Sequence, residues 1–298
     1  MTPPTLLILA GGMASRYAGL KLDESVGPNN ETIMDYSIYD ARRAGFGKIV
    51  FVIRREHDER FRKEVGARLV RHVPIEFVHQ ELTALPPGYH VPRDRTRPWG
   101  TTHAILAAAH AIHEPFAVIN VDDLYGAESY RALFRYLQSG ARDYAMVGFV
   151  LRNTLSEFGT ATRGICHTST DGHLEGIEEL EKVERVGGHA VSIDENGQER
   201  RLTGDEIVSM NMWGFTPQIF SQLNDQFALF MKERSEDLTA ECSIPNTVSD
   251  LIRSGQARVK VLHCSDPWIG ITYREDQSRA IASIHRLIES GYYPMKLW

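Results

Sequence analysis

The chain has 298 residues, with 33 Lys and Arg against 39 Asp and Glu, a formal charge of −6 at pH 7. That acid excess argues against the basic surface of a nucleic-acid binder, and no apolar run approaches the ~18 residues of a transmembrane helix. At 42% apolar residues the chain has material for a core, and a prior of roughly 150 residues per domain allows two domains or one large α/β domain. The N-terminal run LLILA is too short for a signal peptide and has no basic residues before it. Cys166, Cys242 and Cys264 are widely spaced, with no CxxC pair. A soluble, cytoplasmic protein without disulfides is expected.

Short apolar runs predict buried strands at Leu6–Ala10, Ile49–Ile53, Ile75–Val78, Phe116–Asn120 and Tyr144–Val150. Helical spacing fills the gaps at Thr32–Ala44, Glu56–Val70, Thr101–Ile112 and Glu128–Leu137. Such alternation points to parallel βαβ units with helices on both faces of the sheet. Beyond residue 150, strands are expected at Ala161–Cys166, Leu174–Glu179, Val183–Ser192 and Ile207–Phe215, with hairpin signals at Asp171-Gly172 and Asn196-Gly197. Helices follow at Thr216–Lys232 and Thr247–Ser254, then a strand at Val259–Leu262 and a last helix at Arg274–Ser290. Two segments read as insertions. Glu81–Pro98 holds four prolines and three arginines, so it is a loop that fits a lid or a surface excursion equally. Glu181–Glu206, rich in charge and Gly, reads as an exposed hairpin.

Three segments carry chemistry. The first strand runs into Ala10-Gly11-Gly12-Met13-Ala14-Ser15-Arg16, with Lys21 five residues on. Paired glycines let backbone N–H groups approach phosphate oxygens, and Arg16 and Lys21 add charge for a polyphosphate. The loop is neither a Walker A nor a GxGxxG fingerprint, and a plain tight turn is the alternative. Asp122 and Asp123 follow the apolar strand Phe116–Asn120, at the strand end where open α/β sheets bind ligands. They suit Mg²⁺, or a cap for the helix that follows. Gln80, at another strand end, can donate to or accept from a nucleobase, and Gly100-Thr101, past the proline-rich insertion, opens a helix whose start offers backbone contacts to a base or a phosphate; an ordinary strand end and helix cap are the alternative. His103, His110 and His113 share a helix without a metal-binding motif and read as packing or surface residues. Trp213 and Trp268 fit a core as well as a pocket wall.

Taken in order, these segments resemble the sugar-1-phosphate nucleotidyltransferase superfamily, which has the Rossmann-like nucleotide-diphospho-sugar transferase fold. The family's opening loop is similar to Ala10–Arg16 with Leu20-Lys21, and its Gly-Thr-Gly-His-Ala box to Gly100-Thr101-Thr102-His103-Ala104. Its strand-end Gly-Asp matches Val121-Asp122, and its Asn-Thr-Gly resembles Asn211-Met212-Trp213-Gly214. The resemblance covers about residues 5–275. It implies one α/β domain over 1–298, with a mixed, mainly parallel sheet flanked by helices, a nucleotide half (1–150) and an acceptor half (151–298).

The resemblance also implies roles. Ala10, Gly11, Gly12, Met13 and Ala14, with Arg16 and Lys21, would hold the triphosphate. Gln80, Gly100 and Thr101 would face the base, which Gln80 suits as uracil, thymine or cytosine. Asp122 would bind Mg²⁺, with Asp123 and Thr272 beside it; Arg16, Lys21 and Asp122 would be the catalytic groups. Gly159, Glu179 and Asn211 would contact the acceptor, with Glu178 one position from Glu179. The implied reaction joins an NMP from a pyrimidine NTP to a sugar 1-phosphate, or a phosphorylated alcohol such as phosphocholine, and releases pyrophosphate. Ala14 stands where the family has a third Gly, Leu20 where it has Pro, and Thr272 where it has a second acidic or amide ligand. A nucleotide-sugar-dependent glycosyltransferase and a catalytically silent nucleotide-sensing subunit are the alternatives on the same fold.

Overall fold

A computed structural model describes residues 2–12, 25–194, 196–271 and 275–298. Four of the apolar runs form parallel strands, β1 (Thr5–Leu9), β2 (Lys48–Ile53), β3 (Ile75–His79) and β4 (Phe116–Asn120), in the spatial order β3-β2-β1-β4. The remaining strands are β5 (Asp123–Leu124), β6 (Tyr144–Val150), β7 (Ala161–Thr168), β8 (Leu174–Val186), β9 (His189–Ile193), β10 (Glu199–Leu202), β11 (Ile207–Phe215), β12 (Val259–His263) and β13 (Ile269–Gly270). The helices are α1 (Ile33–Ala44), α2 (Asp58–Phe61), α3 (Ala67–Leu69), α4 (Thr101–Leu106), α5 (Ala127–Gln138), α6 (Ile219–Arg234), α7 (Ile244–Arg253) and α8 (Asp276–Glu289).

Strand β1 is buried along its whole length, and its side chains enter two cores in alternation. Leu6 and Ile8 join Met34, Ile38 and Leu133 from α1 and α5, while Leu7 and Leu9 join Ile105, Leu223 and Val248 from α4, α6 and α7. Burial on both faces is why these strands read as unbroken apolar runs. The expected mixed, mainly parallel centre is present, and among the described residues 11 strands form one continuous sheet.

Strand β11 organises the other half. It runs antiparallel to β6 along one edge. Its other edge is shared: Trp213–Phe215 pair with Val118–Phe116 of β4, whereas Val208 and Ser209 pair with Ile165 and Gly164 of β7. Between the two pairings the register breaks, and Asn211 takes a left-handed φ of 59°. From β7 the sheet continues as an antiparallel extension β7-β8-β9-β10, with the expected turn at Asp171-Gly172. The break expected between Glu179 and Val183 is a bulge inside β8, where Lys182 has φ 47° and the register to β7 slips. The real chain reversal is at Gly187-Gly188, so residues 181–206 contribute to three strands rather than to a separate hairpin.

Two expected helices are less regular than their spacing suggests. Residues 55–69 break into a 3₁₀ turn, α2, a π turn over Arg62–Gly66, and α3. Helix α4 ends at Leu106, and the chain then tightens into i→i−3 bonds as far as Ala111.

The 81–98 insertion is anchored. Arg95 is only 4% exposed, and its guanidinium donates to the carbonyls of Arg97, Pro98, Asp237 and Ala240 while lying 3.5 Å from the centroid of the Trp99 ring. Trp99 Nε1 donates to Leu82 O at 3.0 Å, closing the loop on itself. The residues are thus held against the α6–α7 connection. Arg95→Met strands several carbonyls without a donor, so it should lower unfolding stability by about 3 kcal/mol and open 81–98 to proteolysis. Denaturant melts and limited digestion check this; an unchanged midpoint with an intact loop would contradict it.

Asp40, on α1, is fully buried against the C-terminal segment; its Oδ2 accepts from Tyr293 Oη at 2.6 Å, and its Oδ1 has no partner. Burial pushes its pKa up to about 7, against the pull of Tyr293, Arg43 and Arg131, with Asp266 adding to the rise. Between the unfolded value of about 4 and about 7, the folded state keeps a proton that the unfolded chain releases, so stability from this group falls as pH rises. The difference in unfolding free energy between wild type and Asp40→Asn should change across that window, by up to about 1.4 kcal/mol per pH unit, with the variant gaining relative stability toward pH 8. Parallel pH profiles in chemical denaturation would rule this out.

Candidate active site

The divergence of β4 and β7 along β11 opens a cleft of about 590 Å³ at the carboxyl ends of the parallel strands. Gly11 and Gly12 line it from the end of β1, Gln80 from the end of β3, and Gly100 and Thr101 from the start of α4. Asp122 and Asp123 enter from the end of β4, and Asn211 from the register break in β11. Residues separated by 200 positions in sequence therefore face one space. Ala10, just before the glycines, anchors that turn by donating its N–H to Val52 O at 2.8 Å.

Two candidates for the acceptor stand apart from these. Gly159 is one residue before Thr160, which lines the cleft. Glu179 is exposed on β8, across from Gly164 of β7, and does not line the cleft; its neighbour Glu178 pairs outside it with Arg200 and His167. Met13, Ala14, Arg16, Lys21 and Thr272 lie outside the described residues.

The cleft also contains groups that the sequence did not single out. Arg163 of β7 is buried, and its Nε donates to Thr154 Oγ1 at 3.1 Å while Nη1 donates to Thr162 O at 2.8 Å. Its guanidinium stands 5.3 Å from the ring centroid of Trp268, another lining residue. Trp213 is instead a core residue with no exposed surface, and its Nε1 lies 3.4 Å from Asn211 Oδ1. In sequence, Arg163 was one charge among many in a strand, and only the pairing of β7 with β11 brings it inside.

The mouth of α4 depends on Gly100. Its φ is 98°, and a Cβ there would strike the backbone of Cys242. Close approach lets Cys242 N donate to Trp99 O and Thr102 N donate to Cys242 O, at 2.9 and 3.0 Å. Thr101 Oγ1 accepts from Ile244 N at 2.8 Å, so that hydroxyl joins α4 to the start of α7.

The acids at the end of β4 do not cap α5. The N-cap of α5 is Gly126, with φ 80°, and the exposed backbone donors are satisfied from the far end of the chain. Glu128 N donates to Asp266 Oδ2 at 2.6 Å and Ala127 N donates to Tyr292 Oη at 2.8 Å. A side chain at 126 would collide with Asp266. Asp266, six residues before Thr272, is thus occupied at a helix terminus.

That helix terminus therefore draws on neither Asp122 nor Asp123, and both line the cleft. Asp123 is buried, and its Oδ2 accepts from Asn120 Nδ2 at 2.9 Å and from Tyr125 Oη at 3.1 Å. Burial first, and the adjacent Asp122 charge second, push its pKa up to about 7. Two neighbouring carboxylates, one of them buried, form a hard-oxygen donor set that a divalent cation would relieve of repulsion. Among the described residues no group of three or more His, Cys, Asp or Glu is arranged to hold a metal ion. This pair therefore fits Mg²⁺, which takes one or two carboxylates and completes its shell with substrate oxygens and water, better than it fits a metal caged by protein alone.

No helix among the described residues is long and apolar enough to cross a membrane. In comparison with solved structures, the chain is similar to the inositol-1-phosphate CTP transferase of T. maritima, with TM-score 0.63 at 13% identity, covering 96% of this chain and 97% of that one. It is also similar to a UDP-glucose pyrophosphorylase solved with UDP-glucose, with TM-score 0.57 at 14% identity over 96% and 99% of the two chains. A Bacillus anthracis protein described as a glucose-1-phosphate thymidylyltransferase aligns with TM-score 0.62 at 14% identity over 94% of each chain. At these identities the likeness is one of fold. A search of curated proteins gives no match. The Nucleotidyl transferase family matches residues 5–265, nearly the whole chain, and this protein belongs to that family.

Proposed function

We propose that the cleft transfers a nucleotidyl group from a pyrimidine NTP to a sugar 1-phosphate or a similar phosphorylated alcohol. A phosphate oxygen of the acceptor attacks the α-phosphorus in line, an O–P bond forms, the α–β bridging bond breaks, and pyrophosphate leaves. The reading rests on family membership and on one observation: the β1-end glycines, the Gln80–Gly100 wall and the Asp122-Asp123 pair line a single cleft. The neighbouring folds carry names from CTP, UDP and thymidylyl chemistry, and inositol 1-phosphate or glucose 1-phosphate as acceptors. They support the same substrate classes here.

No protein nucleophile is required, so the chain contributes position and charge. Gly11 and Gly12 leave room for phosphate oxygens beside the backbone, and Gln80 and Gly100 form the wall for the base. Arg16 and Lys21, assigned from the family resemblance, balance the triphosphate. Asp122 and Asp123 would hold Mg²⁺, which supplies charge neutralisation at the phosphates. Asn211 and the buried Arg163, which also line the cleft, would orient an anionic acceptor. The acidic composition agrees with a cytoplasmic enzyme that has no nucleic-acid partner.

The test is a matrix of UTP, dTTP and CTP against glucose 1-phosphate, inositol 1-phosphate and phosphocholine, read by pyrophosphate release. At least one pair should turn over, and Lys21→Ala and Asp122→Ala should each lose ~100-fold or more in kcat/KM with the fold retained. Near-normal release by both variants, or release from no pair, would refute the reading.

A further inference from the structure

Gln80 is 91% buried, and its two amide ends face different surroundings. Nε2 donates to Gly100 O at 3.0 Å and lies 3.3 Å from His103 Nδ1. The His103 Nε2 atom is 2.8 Å from Ala84 O, a carbonyl in the 81–98 insertion. A carbonyl can only accept, so Nε2 of His103 carries the hydrogen and its Nδ1 presents a lone pair. That lone pair takes one Gln80 N–H and the Gly100 carbonyl takes the other. His103 is 3% exposed and stacks on Phe227 with ring centroids 4.8 Å apart, which fixes the plane of the ring. Burial holds its pKa below the usual value, against the pull of the Ala84 bond and with the Arg95 charge adding to the shift, so the ring stays neutral at pH 7.

Both donors of Gln80 are thus used within the wall. The remaining end, Oε1, faces Gly11 so closely that a Cβ at residue 11 would sit 2.8 Å from it. Among the described residues Oε1 receives no hydrogen bond. We propose that His103 is a positioning residue: held by the insertion carbonyl of Ala84, it locks the Gln80 amide with its oxygen toward the cleft, so the site selects a nucleobase edge that offers an N–H there. Uracil and thymine do so at N3, where cytosine has a lone pair. The 81–98 insertion thereby acts on base choice through a relay, without touching the base itself. This inference rests on the assignment of the cleft to an NTP.

The test measures dissociation constants of UTP and CTP by calorimetry with wild type and three His103 variants, each checked for folding by circular dichroism. His103→Leu removes both ends of the relay. His103→Gln can keep the donor to Ala84 but does not reach Gln80, whereas His103→Asn keeps an acceptor near the Nδ1 position. Wild type should prefer UTP by about tenfold. Loss of one hydrogen bond that fixes the amide should cut this preference roughly three- to tenfold in His103→Leu and His103→Gln, and His103→Asn should retain it. A purely structural tether would give the reverse order, with His103→Gln retaining the preference, and that result overturns the relay. Equal binding of UTP and CTP by wild type, a preference for CTP, or an unchanged ratio in His103→Leu also overturns it while leaving nucleotidyl transfer intact. Binding of neither nucleotide by wild type removes the NTP assignment itself, and the relay with it.

Discussion

The cleft exists because one edge of β11 cannot be paired by one strand. Strand β4 takes the end of that edge nearest Phe215 and β7 takes the end nearest Ile207. Where they part, β11 breaks register and Asn211 adopts a left-handed backbone. The same divergence leaves the acids after β4 and Arg163 of β7 facing each other across open space. Backbone groups at such a break are costly unless something satisfies them, and Trp213, locked in the core beside Asn211, supports the irregular turn. A straight ladder along β11 would close the cleft and bury two carboxylates beside an arginine.

Around that gap the chain satisfies its helix ends from a distance, which keeps local polar groups available. The N-terminus of α5 is capped by Asp266 and Tyr292, the start of α7 by Thr101 as well as Ser243, and the 81–98 insertion is pinned by Arg95. Because α5 does not draw on Asp122 or Asp123, the two acids can stay side by side in the cleft at the cost of mutual repulsion, which is the state a cation and a phosphate chain would relieve. The same economy applies to the base wall, where Gln80 is held by a carbonyl and an imidazole and keeps one oxygen in reserve.

The legible part of the sequence is the part governed by burial and local geometry. Strands β1, β2 and β4 are buried on both faces and read almost to the residue, with Phe116–Asn120 as the plainest case. The glycines after β1, Gln80, Gly100-Thr101 and Asp122-Asp123 could be located because each sits at the end of such a strand or the start of a helix. Short elements escaped: β5 and β13 are two-residue pairings, and Glu199–Leu202 carries charge at three of four positions. The bulge at Lys182 reads as a break between two strands because it interrupts period-two alternation. Arg163 and the relay through His103 were invisible for a different reason: their partners lie in other strands or in a loop, and a buried histidine has the same sequence signature whether it packs or orients a neighbour.

The central claim is that a nucleotide occupies the gap between β4 and β7. Amide hydrogen exchange with and without an NTP tests it directly, without choosing an acceptor. The account predicts slowed exchange confined to the ends of β1, β3 and β4 and the start of α4, with no change in the β8–β10 extension. Protection centred on that extension, or none at the strand ends under saturating nucleotide, would contradict it.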